Sequence, residues 1–186
     1  MSFRLGLPFV CLLFAISLFD GVNHPFLLLL ALLLHEAGHI LTARLVGAPL
    51  LTFSAGLCGL SLSFDFSALS YPREMAVLLS GSGMGLFCAL LSHLFRPESY
   101  YFPAVSASLA IVNLLPIRGL DGGEALHCLF RCFLLPDPAC RIMKGISFLA
   151  AAAFWLATLW IALRIRPNLS LLAAATCLLF RCTKEG

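Results

Sequence analysis

A polytopic α-helical membrane bundle, with a small membrane-associated β-hairpin or sheet between its second and third spans, is the fold class that three observations predict. The first is composition: of 186 residues, 61% are hydrophobic and only 11% charged, with a mean hydropathy of +0.99, where a soluble domain carries about 25% charged residues. The second is that apolar stretches near the length of a span recur along the chain. The third is one stretch whose polarity alternates with a period of two, which is a strand pattern and not a helical one.

Six spans are predicted, at about 5–19, 26–46, 74–95, 101–117, 145–163 and 168–181. The N-terminal stretch has an arginine before an apolar run, as a signal peptide would, but no small-residue cleavage site follows, so an uncleaved first span is expected. Between spans two and three, "LSLSFDFS" from Leu60 gives the alternation, and Gly56 and Gly59 before it suit a turn. A lone strand in lipid would leave its backbone groups unsatisfied, so this segment must pair and lie against protein or the interface. Span three contains "SGSGMG", small residues spaced for close helix contact. No repeat or charged linker interrupts the pattern, so residues 1–186 read as a single integral domain with no soluble appended domain.

Charge sets orientation and excludes partners. With a cytoplasmic N-terminus, Arg4, Arg44, Arg73, Arg118, Arg131, Arg141, Lys144, Arg181 and Lys184 fall inside, and Arg96, Arg164 and Arg166 outside. The opposite orientation reverses that bias, so both termini are expected in the cytoplasm. Net charge is +3 with no Lys/Arg block, which excludes a nucleic-acid footprint. Of eight cysteines, Cys11, Cys58, Cys88 and Cys177 lie inside apolar runs and read as reduced thiols. "HCLFRC" sets His127, Cys128 and Cys132 near one helix face with Cys140 further on, but without the paired spacing of a zinc module.

The chemistry is concentrated in "HEAGH", inside the second span. His35 and His39 are one helical turn apart and share a face, close enough to hold one cation. Glu36 lies between them, placed to reach a water on that cation without binding it. This is zinc-hydrolase logic: imidazoles fix the metal, an open position holds water, and a carboxylate takes its proton. Ionisable groups at membrane depth are costly, and a metal gives these three a reason to be there. A catalytic zinc takes three protein ligands. The third is expected to be Asp121 in "NLLPIRGLDGGEAL", where Pro116 breaks the fourth span and Gly119, Gly122 and Gly123 allow a sharp fold. Glu124 is the rival ligand, and is also explained as a first-turn acid favoured by the helix dipole.

His35, Glu36 and His39, followed by Asn113, Pro116, Leu120, Asp121, Gly122 and Gly123 in the spacing N-x-x-P-x-x-x-L-D-G-G, resemble the site-2 protease family of intramembrane zinc metalloproteases. A six-span chain with no inserted extracytoplasmic domain looks most like the stage IV sporulation FB branch. The resemblance implies that His35, His39 and Asp121 bind one Zn2+ and that Glu36 is the general base. It places Asn113 where the family has an asparagine that assists substrate or transition-state binding; a helix–helix hydrogen bond is the other reading of that residue. The implied substrate is a transmembrane or membrane-tethered protein, such as a pro-sigma or anti-sigma factor, cut in regulated intramembrane proteolysis. The lipid bilayer and a membrane regulatory or inhibitory protein are the other implied partners, and a bacterial cytoplasmic membrane the implied location. Departures are also visible: many relatives have a Gly-Pro and an Asn where this chain has "SGSGMG", and the sporulation protease carries a C-terminal nucleotide-sensing domain.

Three other classes compete. A di-iron oxygenase needs several histidine-rich boxes, which five histidines cannot supply. A transporter predicts repeats with broken helices in corresponding halves, and none is seen. A non-catalytic metal-binding scaffold or pseudoprotease needs the histidines but has no use for Glu36.

Overall fold

The computed structural model describes residues 2–5, 25–56, 59–96, 98, 100–164 and 169–184. They form strands β1 (Ser2–Leu5), β2 (Leu50–Gly56) and β3 (Gly59–Phe64) and helices α1 (Pro25–Val46), α2 (Tyr71–Phe95), α3 (Tyr101–Asn113), α4 (Asp121–Phe133), α5 (Pro136–Arg164) and α6 (Leu169–Lys184). By length and composition, three of these helices can cross a membrane: α1, α2 and α5. The expected first span at 5–19 lies outside the described residues, apart from Leu5 at the end of β1. Two compact units divide the chain, Met1–Leu114 and Leu115–Gly186.

In the first unit, α1 begins at Pro25, whose fixed φ suits a first helical position and whose missing N–H has no intrahelical acceptor there anyway. Its end is equally defined. Gly47 takes φ +81, the Gly47 N–H donates to the Arg44 carbonyl at 3.3 Å, and the Ala48 N–H donates to the Ala43 carbonyl at 2.8 Å. That pair of bonds is the Schellman motif, which satisfies two of the last carbonyls and favours glycine at the left-handed position. The 22 residues of α1 extend about 33 Å, enough for a hydrocarbon core of about 30 Å.

The inward face of α1 is small or ionisable: Ala31, His35, Gly38, His39 and Ala43 are buried, and Ala31 and Ala43 are 0% and 1% exposed while Leu33 and Leu41 are 50% and 52% exposed. Large side chains outside and small ones inside are what helices do when the solvent is as apolar as leucine, because close backbone contact then drives association. The buried residues of α2 are likewise mostly small: Glu74, Val77, Gly81, Ser82, Gly85 and Ala89. A Cβ on Gly38 would stand 2.6 Å from the Ser80 carbonyl oxygen and 3.1 Å from the Gly81 Cα, so the two backbones touch there. On the other side of α2, the buried Ser106 hydroxyl of α3 donates to the Gly85 carbonyl at 2.9 Å.

Helix α3 stops at Asn113, four residues short of the expected 117, because Pro116 cannot continue a helix and disfavours helical backbone just before it. Its 13 residues reach about 20 Å, short of a full crossing.

The expected sheet is present and one strand larger. β2 and β3 pair antiparallel with Gly56 opposite Gly59, and a bulge falls between Leu50 and Thr52. β1 adds to β2 in parallel, from Ser2 opposite Thr52 to Leu5 opposite Ala55. The strand order β1-β2-β3 leaves β3 at one edge. Phe64, Phe66 and Leu69 fasten this end of the sheet to a cluster of Ala43, Ala48 and Val77. Between them, the Ser67 N–H donates to the Asp65 carboxylate at 2.9 Å, and bonds from the Ser67 side chain and then its backbone hold that carboxyl below its ordinary value.

In the second unit, α5 starts nine residues before the expected 145, at Pro136, since Pro at the first position and Asp137 in the first turn make a competent helix start out of a stretch too polar to read as span. Helix α6 covers Leu169–Lys184 where 168–181 was expected, and is shorter than a span. Ile117, Ala151 and Leu178 form the buried core of this unit. Hydrogen bonds stitch it further: Trp155 Nε1 donates to Thr176 Oγ1 at 3.0 Å, and the Arg118 backbone N–H donates to Ser147 Oγ at 2.6 Å.

Candidate metal centre

All three motif residues of α1 are buried: His35, Glu36 and His39 are 3%, 8% and 6% exposed. His39 Nδ1 lies 2.8 Å from the Val77 carbonyl oxygen of α2. A carbonyl can only accept, so the proton sits on Nδ1 and the Nε2 lone pair is left for a metal. Backbone carbonyls orient metal-bound histidines in this way in general. His39 Nε2 stands 3.4 Å from His35 Nε2, with the rings 81° apart and their centroids 5.0 Å apart. That separation is long for a hydrogen bond between ring nitrogens. Two nitrogens held about 2.0–2.1 Å from one tetrahedral ion stand about 3.3–3.4 Å apart, so the spacing of the pair matches that of two ligands on one zinc. Glu36, three residues before His39, shares a helix side with it.

Asp121 belongs to the second unit, as the first residue of α4, half-buried. The loop before it is shaped by two glycines. Gly119 has φ +86, and a Cβ on Gly123 would overlap the Ile117 carbonyl, so the loop backbone lies directly on the start of α4. Glu124 is occupied in this loop: its Oε1 accepts the Gly119 N–H at 2.9 Å, a local cap of the kind expected of an acid in a first turn. Imidazole and carboxylate are both donor types that a zinc ion takes.

Asn113 ends α3 with its Nδ2 donating to the Leu109 carbonyl of the same helix at 3.0 Å, a bond back along the helix and not one between helices. Among the described residues, His127, Cys128, Cys132 and Cys140 do not gather into a three-ligand cluster. Cys132 Sγ donates instead to the Cys128 carbonyl at 3.4 Å, Arg118 Nη1 contacts Cys140 Sγ at 3.7 Å, and no disulfide joins any of the six described cysteines.

The sequence reading missed the contribution of α2, whose Val77 carbonyl fixes the His39 tautomer and whose Gly81 lies under the His39 ring. Its signal was present: Gly38 inside "HEAGH" and Gly81, the first glycine of "SGSGMG", are the contact points of two helices that approach closely.

The fold is similar to that of a solved site-2 protease from Methanocaldococcus jannaschii, with a TM-score of 0.72 and 17% sequence identity over 98% of this chain and 89% of that one. No protein-family model matches the sequence, and no curated protein matches it. The class so defined is a site-2 protease-like fold with three helices long and apolar enough to cross a membrane.

Proposed function

We propose that the chain is an intramembrane zinc metalloprotease that hydrolyses a peptide bond in a membrane-embedded or membrane-tethered protein. The observation that carries this reading is the pair of buried imidazoles, one with its tautomer set by a backbone carbonyl, whose Nε2 atoms are 3.4 Å apart next to a buried glutamate on a helix of membrane length. Asp121 is the third ligand in this proposal, on the strength of its motif and of Glu124 being engaged elsewhere.

When bound, zinc supplies Lewis acidity, which lowers the pKa of water and polarises the scissile carbonyl. Glu36 takes the proton of the attacking water and later delivers it to the leaving amine. Burial of Glu36 beside His39 keeps this exchange away from lipid and bulk solvent. Asn113 is the residue we assign to substrate or transition-state contact, through its Oδ1 or its second amide N–H, since one N–H is held by the Leu109 carbonyl. A helical substrate hides its peptide carbonyls, so a stretch must unwind before it is cut. The edge strand β3 suits strand addition to that stretch, satisfying backbone groups that lipid cannot.

In this proposal the six-span layout rests on the recurring apolar stretches and the cytoplasmic termini on the charge pattern. The family resemblance alone suggests the bacterial cytoplasmic membrane, the sporulation-type branch, a pro-sigma or anti-sigma substrate and an inhibitory membrane partner. The test compares fragments released from membranes of cells expressing wild type or Glu36→Gln, after both are shown to bind zinc equally. A fragment released by the wild type alone is the expected result, and identifies substrate and cut. Equal fragment patterns across growth conditions would favour the metal-holding scaffold and remove Glu36 from the chemistry.

A further inference from the structure

Three glycines follow one another at alternate positions of α2, and a methyl group on each would meet something different. At Gly83 it would meet nothing within 4 Å; at Gly85 it would come 3.2 Å from the Ala110 Cβ of α3. At Gly81 the three nearest atoms are all in the His39 imidazole, with Nε2 the nearest. The ring therefore lies across one turn of α2, its Nδ1 fastened to the Val77 carbonyl and its metal-facing edge over Gly81. Ser80 acts on the same anchor, its hydroxyl donating to the Val77 carbonyl at 2.6 Å. A hydroxyl bonding back along its own helix tilts the carbonyl it binds and alters its strength as an acceptor.

We infer that Gly81 is a positioning residue for the metal: with the Val77 carbonyl and the Ser80 hydroxyl it forms the seat that fixes the His39 ring and its donor nitrogen. This rests on the metalloprotease reading for its consequence, and on the geometry of α1 and α2 alone for its existence. Packing by itself would make Gly81 and Gly85 equivalent, since each brings a neighbouring helix close. The seat makes them different, because only at Gly81 does the lost space belong to a metal donor. Substituting a residue that orients a metal ligand typically weakens metal binding by about 10- to 100-fold.

The test titrates Co2+ into purified, detergent-solubilised wild type, Gly81→Ala, Gly83→Ala and Gly85→Ala, and records affinity and the Co2+ d–d spectrum. Nitrogen-15 spectra of the metal-free, histidine-labelled proteins are recorded alongside, with His39 assigned by its loss in His39→Gln. Gly81→Ala is expected to bind Co2+ at least about tenfold more weakly, with a shifted spectrum and a changed His39 tautomer signal, while Gly83→Ala and Gly85→Ala match the wild type. If Gly81→Ala does not fold, Ser80→Ala serves, and is expected to shift the His39 nitrogen signals in a fully folded protein. Wild-type spectra from Gly81→Ala, or from Ser80→Ala where that variant stands in, overturn the seat. Failure of the wild type to bind Co2+ overturns the metalloprotease reading instead, and the metal-free spectra still decide the seat.

Discussion

The two units of the chain hold their helices together by different means. In Met1–Leu114, α1 and α2 meet where side chains are missing, at Gly38 and Gly81, and a buried imidazole reaches from one helix to the backbone of the other. In Leu115–Gly186, α5 and α6 meet through polar side chains, Trp155 with Thr176 and Ser147 beside Cys182 at 3.5 Å, around an Ile117, Ala151 and Leu178 core. Glycine contact is rigid and has no tolerance for added volume; hydrogen bonds tolerate volume but leave a donor stranded when one partner goes. The helix that carries the two histidines thus sits on the less forgiving kind of interface.

The largest effect should come from adding one methyl at a backbone contact. Gly38→Ala presses on the Ser80 carbonyl, and Gly123→Ala on the Ile117 carbonyl; each is expected to cost about 3 kcal/mol or more in denaturant unfolding in micelles, as overpacking against a part that cannot yield does. Gly145→Ala, with open space around it, should instead be neutral or stabilising by about 0.5–1 kcal/mol. A similar cost at all three positions would erase the distinction between contact and open glycines. Ser147→Ala is next, because it strands the Arg118 N–H; the loss should be about 1–3 kcal/mol by the same measurement.

Gly47→Ala should cost about 1–2 kcal/mol, since an L-residue is strained at φ +81, with the loss seen as fraying at the α1 end by hydrogen exchange. The smallest effect is at Asp65. Its folded pKa lies below the ordinary 3.8, so the stability it contributes is present above that ordinary value and is lost as pH falls through the lower folded value. Stability curves of wild type and Asp65→Asn should therefore run parallel above about pH 4 and converge below it.

Much of the first unit was legible from the sequence because its signals are local. The apolar run around "HEAGH" announces α1 by its length and the alternation from Leu60 announces β3 by its period, although β3 ends at Phe64 while the alternation runs on to Ser67. Pro116 was read as a helix breaker, but its reach back to Asn113 was not, since helix ends depend on the last hydrogen bonds more than on hydropathy. β1 was not legible: four residues pair in parallel with a strand far along the chain, and nothing within those four residues encodes the partner. At the candidate centre, His35, Glu36 and His39 were legible from spacing. The Val77 carbonyl was not, because a backbone acceptor carries no residue signature, and Asn113 could not be seen to bond back to Leu109.

The parallel pairing of β1 with β2 has a consequence for how the molecule is made. Ser2 to Leu5 are synthesised before α1, yet their partners at Thr52 to Ala55 are made only after all of α1. The first strand must therefore wait unpaired while the histidine helix is made, and docks last among the elements that precede β2. Its docking closes the intervening chain into a loop that contains both histidines. Closing that long loop carries an entropic cost that the short β2–β3 hairpin does not.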